Sequence, residues 1–272
     1  MNNDIPLVAY IAYEPFGFEY FQKFLDSYNN YRSGENHDLL ICFKNFQSEL
    51  QIKEWKEKIN IKFVEFYEKD KPNDYDIGSY FRIAEQYPER TILFIGSHTR
   101  PIVNDWLKLF FKNFRKNRII GATASYASLS SQFLNFYYDN HSKYQQFKWG
   151  IYHLFNVELF PNPHLRTNCF MIKGDDFLKL NFNRKKFLNK IETNYFEGGR
   201  RSLTNQLKKK GFEILLINSD GELFEIKDWK KSKTYCLGNQ EKLIFIDNRT
   251  KEYQDANDVE RKKFRKFTWG ID

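Results

Sequence analysis

Short runs of consecutive apolar residues alternate along the chain with longer segments whose apolar positions recur at helical spacing. Leu7-Val8-Ala9-Tyr10-Ile11-Ala12-Tyr13 is a run of strand formers, and 19–31 follows with Tyr20, Phe21, Phe24, Leu25 and Tyr28 on one helical face. The same alternation predicts strands over 39–43, 61–67, 91–95 and 118–124, with helices over 49–59, 77–86 and 105–114. A parallel strand pair needs a crossover long enough to hold a helix. The expected class is therefore α/β, with a mostly parallel central sheet and helices on both faces. Residues 126–160 read as a long aromatic helical insertion, 165–172 as a strand, and 187–210 as helical at both ends around Gly198-Gly199. A last strong strand is expected over 212–217, then a polar stretch, a short strand over 243–246 and a basic helix over 258–267.

Length and composition narrow the class. The 272 residues fit one large domain with an extension. A hydrophobic share of 41% against 29% charged residues excludes disorder as the main state. No apolar run approaches a membrane span, and Met1-Asn2-Asn3-Asp4 has neither a basic start nor an apolar core, so the chain is expected to stay in the cytoplasm. Phe 28 and Tyr 17 accompany abundant Asn, Lys and Ile, the joint excess that AT-rich codons produce, so the rings are not read as base-stacking platforms. Cys42, Cys169 and Cys236 are odd in number and far apart, which indicates neither a disulfide framework nor a zinc site.

A net charge of +8 favours anionic partners: nucleotides, phosphorylated substrates, acidic headgroups or nucleic acid. The basic runs Arg184-Lys185-Lys186, Lys208-Lys209-Lys210, Lys230-Lys231 and Arg261-Lys262-Lys263 are scattered, as solvated faces would be. The sharper alternative is a basic rim at an anionic membrane surface, worth about 1 kcal/mol per well-placed Lys or Arg.

The first turn, 12–18, has no glycine-rich dinucleotide fingerprint, and no phosphate-cradling GxxxxGK loop occurs, which disfavours ordinary dehydrogenases and P-loop NTPases. In open α/β sheets ligands lie outside the carboxyl ends of the strands, so chemistry is sought just after each strand. Asp74 and Asp76 precede a helix, where a carboxylate either accepts hydrogen bonds from a nucleotide or caps the helix, the cap contributing about 1 kcal/mol. His164, Arg166 and Asn168 alternate, so on a strand they face one side, as a lined cleft or as a structural hydrogen-bond network. Glu197 stands beside Gly198-Gly199, whose backbone freedom could bring its carboxylate to the sheet rim. Arg200 and Arg201 offer guanidinium forks that match phosphate oxygens. Asp247-Asn248-Arg249-Thr250 and Thr268-Trp269-Gly270 read first as a packing extension and second as a lid or acceptor-side wall.

The segments 74–78, 95–101, 163–170 and 196–204 resemble, in order and spacing, the GT-A type glycosyltransferases, particularly the bacterial family 2-like enzymes of lipopolysaccharide, capsule and related surface glycans. The resemblance covers residues 7–217 and implies a glycosyltransferase domain over 1–217, with 1–125 the nucleotide-binding half and 126–217 the acceptor half. Residues 218–272 are then an extension packed on it. It implies transfer of a sugar, with inversion, from a nucleotide-diphosphate donor to a glycan or lipid-linked acceptor. The nucleotide would meet Ala12, Tyr13, Asp74, Asp76, Gly78, Ser97, His98 and Arg100. His164, Arg166, Asn168, Arg200 and Arg201 would meet acceptor and phosphate, and Glu197, or second Glu192, would be the catalytic base.

Gly96-Ser97-His98 stands where the family carries its metal-holding DxD and contains no aspartate. A divalent ion, Mn²⁺ or Mg²⁺, would rest on His98, a poor substitute for a carboxylate cage. The other readings are metal-free diphosphate binding through His98 or Arg100, and a structural histidine. A non-catalytic nucleotide- or glycan-binding module on the same fold is the second function class, and a nucleic-acid partner is disfavoured.

Overall fold

A computed structural model describes residues 5–68, 73–130, 151, 153–182 and 190–271. Its first half runs β1 (Leu7–Tyr13), α1 (Phe18–Asn30), β2 (Asp38–Lys44), α2 (Glu49–Lys56), β3 (Val64–Tyr67), α3 (Tyr75–Gln86) and β4 (Thr91–Ile95). Next come β5 (Arg100–Pro101), α4 (Trp106–Phe111), β6 (Arg118–Gly121), β7 (Ala124–Ser125), β8 (His164–Leu165) and β9 (Cys169–Lys173). The chain continues through α5 (Gly174–Leu178), α6 (Lys190–Gly198), α7 (Leu203–Lys209), β10 (Glu213–Ile217), β11 (Leu223–Glu225) and β12 (Phe245–Ile246) to α8 (Asn248–Asp255) and α9 (Asp258–Trp269).

Among the described residues, eight strands form one sheet in the order β11-β10-β6-β9-β4-β1-β2-β3. β1 pairs in parallel with β2 and β4, β2 with β3, and β6 with β10, while β9 and β11 run antiparallel to their neighbours. The α/β class with a mostly parallel sheet thus holds. β1 is apolar throughout because both its faces are covered. Leu7, Ala9 and Ile11 pack with Tyr80, Phe81 and Ile83 of α3 on one side. Val8, Tyr10 and Ala12 pack with Phe21, Phe24 and Leu25 of α1 on the other. The two-residue period of the strand divides the core into these two layers. The Tyr10 ring stacks on Phe24 at 3.7 Å between centroids, so Phe24→Ala would cost about 3–5 kcal/mol.

Several sequence expectations shift. The run 118–124 divides between β6 and β7, and 165–172 between β8 and β9, because β7 and β8 leave the main sheet to pair with each other. The strand expected over 243–246 is reduced to β12, which pairs with β5, a two-residue strand that the periodicity did not signal. The Gly198-Gly199 pair ends α6, with Gly198 its last residue, and the Ser202 side chain caps α7 by accepting from Asn205 N–H. Most of the expected aromatic insertion over 126–160, the basic run 184–186 and the start of the expected helix at 187–189 lie outside the described residues. No described helix is long and apolar enough to cross a membrane.

Strand direction decides what meets at the carboxyl ends. The chain passes from β1 to β2 and β3 on one side, then to β4 on the other, so the order reverses between β1 and β4. Crevices of open α/β sheets form at such a switch point. Because β9 is antiparallel to β4, with Ile95 opposite Cys169, the residues just before β9 lie beside those just after β4. Pairing of Ile246 with Arg100 likewise carries Asp247 toward Thr99 and His98.

Candidate functional site

One wall of the crevice is built by the ends of β1, β4 and α3. Tyr75, at the start of α3, holds φ 56°, a left-handed geometry that costs a non-glycine residue about 1–3 kcal/mol. It sends its two flanking aspartates to different partners. The half-buried Asp76 carboxylate accepts the Ser97 N–H at 3.2 Å and the Ser97 hydroxyl at 3.3 Å, tying α3 to the end of β4. Burial raises the Asp76 carboxyl above the ordinary range, against the pull of the Ser97 N–H, Lys44 and His98. The buried Tyr10 hydroxyl donates to the Ser97 carbonyl at 2.9 Å, so Ser97 is held from both sides.

His98 projects beyond this point between two half-exposed rings, 4.1 Å from Phe16 and 5.3 Å from Tyr20 between centroids. Burial lowers its imidazole below the usual histidine range, and Asp76 and Asp247 oppose that shift. Among the described residues, its Nδ1 is buried without a hydrogen-bond partner. A buried polar atom left unpaired costs about 1–3 kcal/mol, so this nitrogen is available to a ligand that enters the crevice.

The facing wall comes from segments distant in sequence. The Arg166 guanidinium is buried, pairs with Asp247 at 2.8 Å and stacks on the Tyr235 ring at 4.1 Å. Burial works against its charge, but Asp247, Tyr235 and Glu197 hold it protonated beyond the usual arginine range. Asn168 donates to Asp247 at 2.7 Å and accepts from Thr123 at 3.0 Å, while its carbonyl accepts the Gly96 N–H at 2.8 Å. Asp247 also caps α8 by accepting the Thr250 N–H at 2.7 Å. Glu197, in the last turn of α6, accepts the Thr167 N–H at 2.7 Å and the Thr167 hydroxyl at 2.6 Å, both on Oε2. Among the described residues its Oε1 has no partner. The buried Tyr80 hydroxyl donates to the Thr167 carbonyl and feels both Asp76 and Glu197, which places one carboxylate in each wall around the same phenol.

The sequence candidates separate accordingly. Ala12 and Tyr13 stand at the end of β1, where the Ala12 side chain is buried in the core and leaves only its backbone to the rim. Tyr13 stays half-buried against Phe16. Asp74 neither caps α3 nor faces the crevice. It accepts Lys44 at 2.7 Å and Arg82 at 2.6 Å in a cluster completed by Glu68 and Ser79. Gly78 serves that cluster, because a Cβ there would stand 1.9 Å from Asp74 Oδ2. Arg100 is carried to the α1 side, where it lines a depression of 240 Å³ with Lys23, Asp26, Ser27, Asn30 and Tyr31. Arg200 is exposed and paired to Glu158 at 2.9 Å, and Arg201 is exposed beside it. Glu192 precedes Glu197 by five residues, about 140° around the helix, and so lies on another face of α6.

His164, Arg166 and Asn168 remain close but divide their work. His164 bonds the Asn162 carbonyl through Nδ1 at 2.8 Å, lies against Gly198, and is pushed below the usual histidine range by burial against the opposing pull of Glu197. No group of three His, Cys, Asp or Glu side chains able to hold a metal forms among the described residues. Sequence reasoning missed Thr167 and Tyr80, and offered Asp247 only within a segment read first as a packing extension and second as a lid or acceptor-side wall. In the structure 247–250 form the capping box of α8, and nothing in that local sequence points to the distant neighbours of Asp247.

No protein-family model and no curated protein sequence matches the chain. Among solved structures, it is similar to the apo form of the glycosyltransferase GlyE of Streptococcus pneumoniae, at 11% identity and TM-score 0.40, over 78% of this chain and 45% of GlyE. It is also similar to the apo bifunctional glycosyltransferase WbbM, at 11% identity and TM-score 0.40, over 66% of this chain and 34% of that one. The mannosyltransferase Ktr4p of Saccharomyces cerevisiae in complex with GDP matches at 13% identity and TM-score 0.40, over 78% and 69%. The chain thus spans less than half the length of GlyE and of WbbM.

Proposed function

We propose that the chain is a glycosyltransferase that moves a sugar from a nucleoside-diphosphate donor to a hydroxyl of a glycan or lipid-linked acceptor, with inversion, in bacterial cell-surface polysaccharide synthesis. One observation carries the reading. At the switch point of the sheet, Glu197 has one oxygen fixed by Thr167 and the other without a hydrogen-bond partner among the described residues, opposite the Asp76–Ser97–His98 wall. The nucleotide lies along the ends of β1 and β4, with Asp76 toward ribose or base and His98 toward the diphosphate. As the acceptor oxygen bonds the anomeric carbon, the bond from that carbon to the diphosphate oxygen breaks and the acceptor proton passes to Glu197 Oε1. Fixing Oε2 holds the base in one orientation, which general-base catalysis requires.

A thermal-shift screen against UDP, GDP, dTDP and CMP tests the donor side, since a ligand that prefers the native state raises its melting point. Turnover of the matching nucleotide sugar then tests the chemistry. Glu197→Gln keeps the Thr167 bonds but cannot accept a proton, so turnover drops about 10²–10⁴-fold with nucleotide affinity unchanged. Binding without turnover of any nucleotide sugar favours the non-catalytic module, and a Gln variant of normal turnover removes Glu197 from the reaction.

A further inference from the structure

The depression beside α1 has no role in the reading above, yet it joins onto the crevice. The His98 ring lies 5.3 Å from Tyr20 between centroids, and the Lys23 ammonium stands 4.7 Å from the centre of the same Tyr20 ring. Lys23 in turn lines the depression of 240 Å³ with Asp26, Ser27, Asn30, Tyr31 and Arg100. Tyr20, Lys23, Ser27 and Asn30 recur every three or four residues, so one face of α1 runs from His98 into the depression. From Tyr20 to Ser27 the helix rises about 10 Å. Two bonds fix the lining. The buried Ser27 hydroxyl donates to the Pro101 carbonyl, and the Trp106 indole donates to the Tyr31 carbonyl at 2.9 Å, which ties the end of α1 to β5 and α4.

The charged groups of this lining are open to a ligand. Arg100 is half-buried, and neither its guanidinium nor the exposed Lys23 ammonium has a carboxylate or hydrogen-bond partner among the described residues. Asp26 is the one carboxylate among the lining residues, and its Oδ1 accepts from Gln22 at 2.7 Å. Two cations therefore stand against one carboxylate, and a guanidinium fork with an ammonium beside it matches a carboxylate or a phosphate. The Asn30 amide and the second Asp26 oxygen supply donors and acceptors of the kind that hydroxyl groups use. The volume of 240 Å³ is below the roughly 300 Å³ at which pockets for drug-sized ligands begin, so the occupant is limited to about one ring.

We infer that the depression binds one acidic sugar unit, a hexose that carries a carboxylate or a phosphate, with the anion on Lys23 and Arg100 and ring hydroxyls on Asp26 and Asn30. The choice of a sugar as carrier of the charge rests on the glycosyl-transfer reading, whereas the anion site rests on the lining itself.

The test is saturation-transfer NMR on the full chain with glucuronic acid, glucose 6-phosphate and glucose, each titrated for its dissociation constant, and with inorganic phosphate as competitor. At least one acidic sugar is expected to bind about tenfold or more tightly than glucose, the ratio that one hydrogen bond to a charged group supplies. Tighter binding of glucuronic acid assigns a carboxylate, and tighter binding of glucose 6-phosphate a phosphate. Inorganic phosphate, which lacks the ring hydroxyls, displaces the acidic sugar only at about tenfold higher concentration. Arg100→Gln weakens its binding about tenfold or more and Lys23→Gln about threefold, whereas Glu197→Gln, on the facing wall of the crevice, binds it like the parent. Unchanged melting temperatures establish that the variants fold, and the exposed Lys23 carries the test should Arg100→Gln unfold. Glucose binding as tightly as both acidic sugars, no saturation transfer from any of the three, or folded Arg100 and Lys23 variants that bind like the parent overturns the inference. Inorganic phosphate as effective as the acidic sugars overturns the sugar, and loss of binding in Glu197→Gln moves the acidic sugar into the crevice. Because binding is read without turnover, a Glu197→Gln variant of normal turnover refutes the transfer chemistry and leaves this result standing.

Discussion

Lys44→Met tests whether the charged cluster below the crevice is structural. Lys44, Glu68 and Asp74 are almost fully buried, and Arg82 closes the group at one-third exposure. Two cations and two carboxylates make it neutral, with Lys44 at 2.9 Å from Glu68 and 2.7 Å from Asp74. Removal of Lys44 leaves one buried negative charge uncompensated, because Arg82 alone must serve both carboxylates. Breaking a buried pair from one side costs about 3–5 kcal/mol. At about 2–4 °C per kcal/mol for a chain of this size, the melting temperature falls by about 6–20 °C. Urea and thermal unfolding read the loss. Adding Glu68→Gln restores neutrality and recovers part of it. Asp74→Asn likewise lowers stability but leaves the nucleotide affinity of the folded protein unchanged, since both Asp74 oxygens face the cluster. A loss below about 1 kcal/mol for Lys44→Met, or no recovery in the double variant, refutes the reasoning.

Asp76→Ala removes a carboxylate at the ribose side of the crevice and weakens nucleotide binding by about 1–3 kcal/mol by calorimetry; unchanged affinity in a folded variant removes Asp76 from the site. His98→Ala lowers the nucleotide-induced melting shift whereas EDTA leaves it unchanged, because the described residues gather no three-donor metal group; loss of the shift on chelation restores a metal to the site. Burial holds His37, His98, His153 and His164 below the ordinary histidine range. The unfolded chain therefore binds protons first, and stability present above about pH 6.5 is lost as pH falls toward the lowered folded values. A urea midpoint that does not fall between about pH 7.5 and about pH 5.5 contradicts that sign.

The parallel half of the sheet was legible because β1, β2 and β4 are buried on both faces and α1 and α3 each show an apolar stripe. Direction was not legible. The apolar residues of β9 suit a parallel strand as well as an antiparallel one, and only insertion between β4 and β6 reverses it. Asp74 and Asp76 look equivalent before a helix, and the left-handed Tyr75 between them separates a cluster member from a crevice residue. Arg200 and Arg201 had the right chemistry for phosphate, but their exposure at the end of α6 takes them to the outer surface.

Asp247 shows why a site can depend on residues that no local pattern announces. Locally it caps α8, in a capping box that the Thr250 N–H and hydroxyl complete. The second carboxylate oxygen is committed by topology alone: the two-residue pairing of β12 with β5 sets it against Arg166 and Asn168. That contact is the counter-charge of a buried guanidinium, and removing one partner of such a pair costs about 3–5 kcal/mol. The segment that read as a packing extension therefore stabilises the wall facing His98. Because Asn168 also binds Gly96 through its backbone carbonyl, a change at Asp247 reaches the end of β4 through a single residue. The C-terminal extension belongs to the crevice by this chain of contacts, and the charge of Arg166 explains why its anchoring residue is an aspartate.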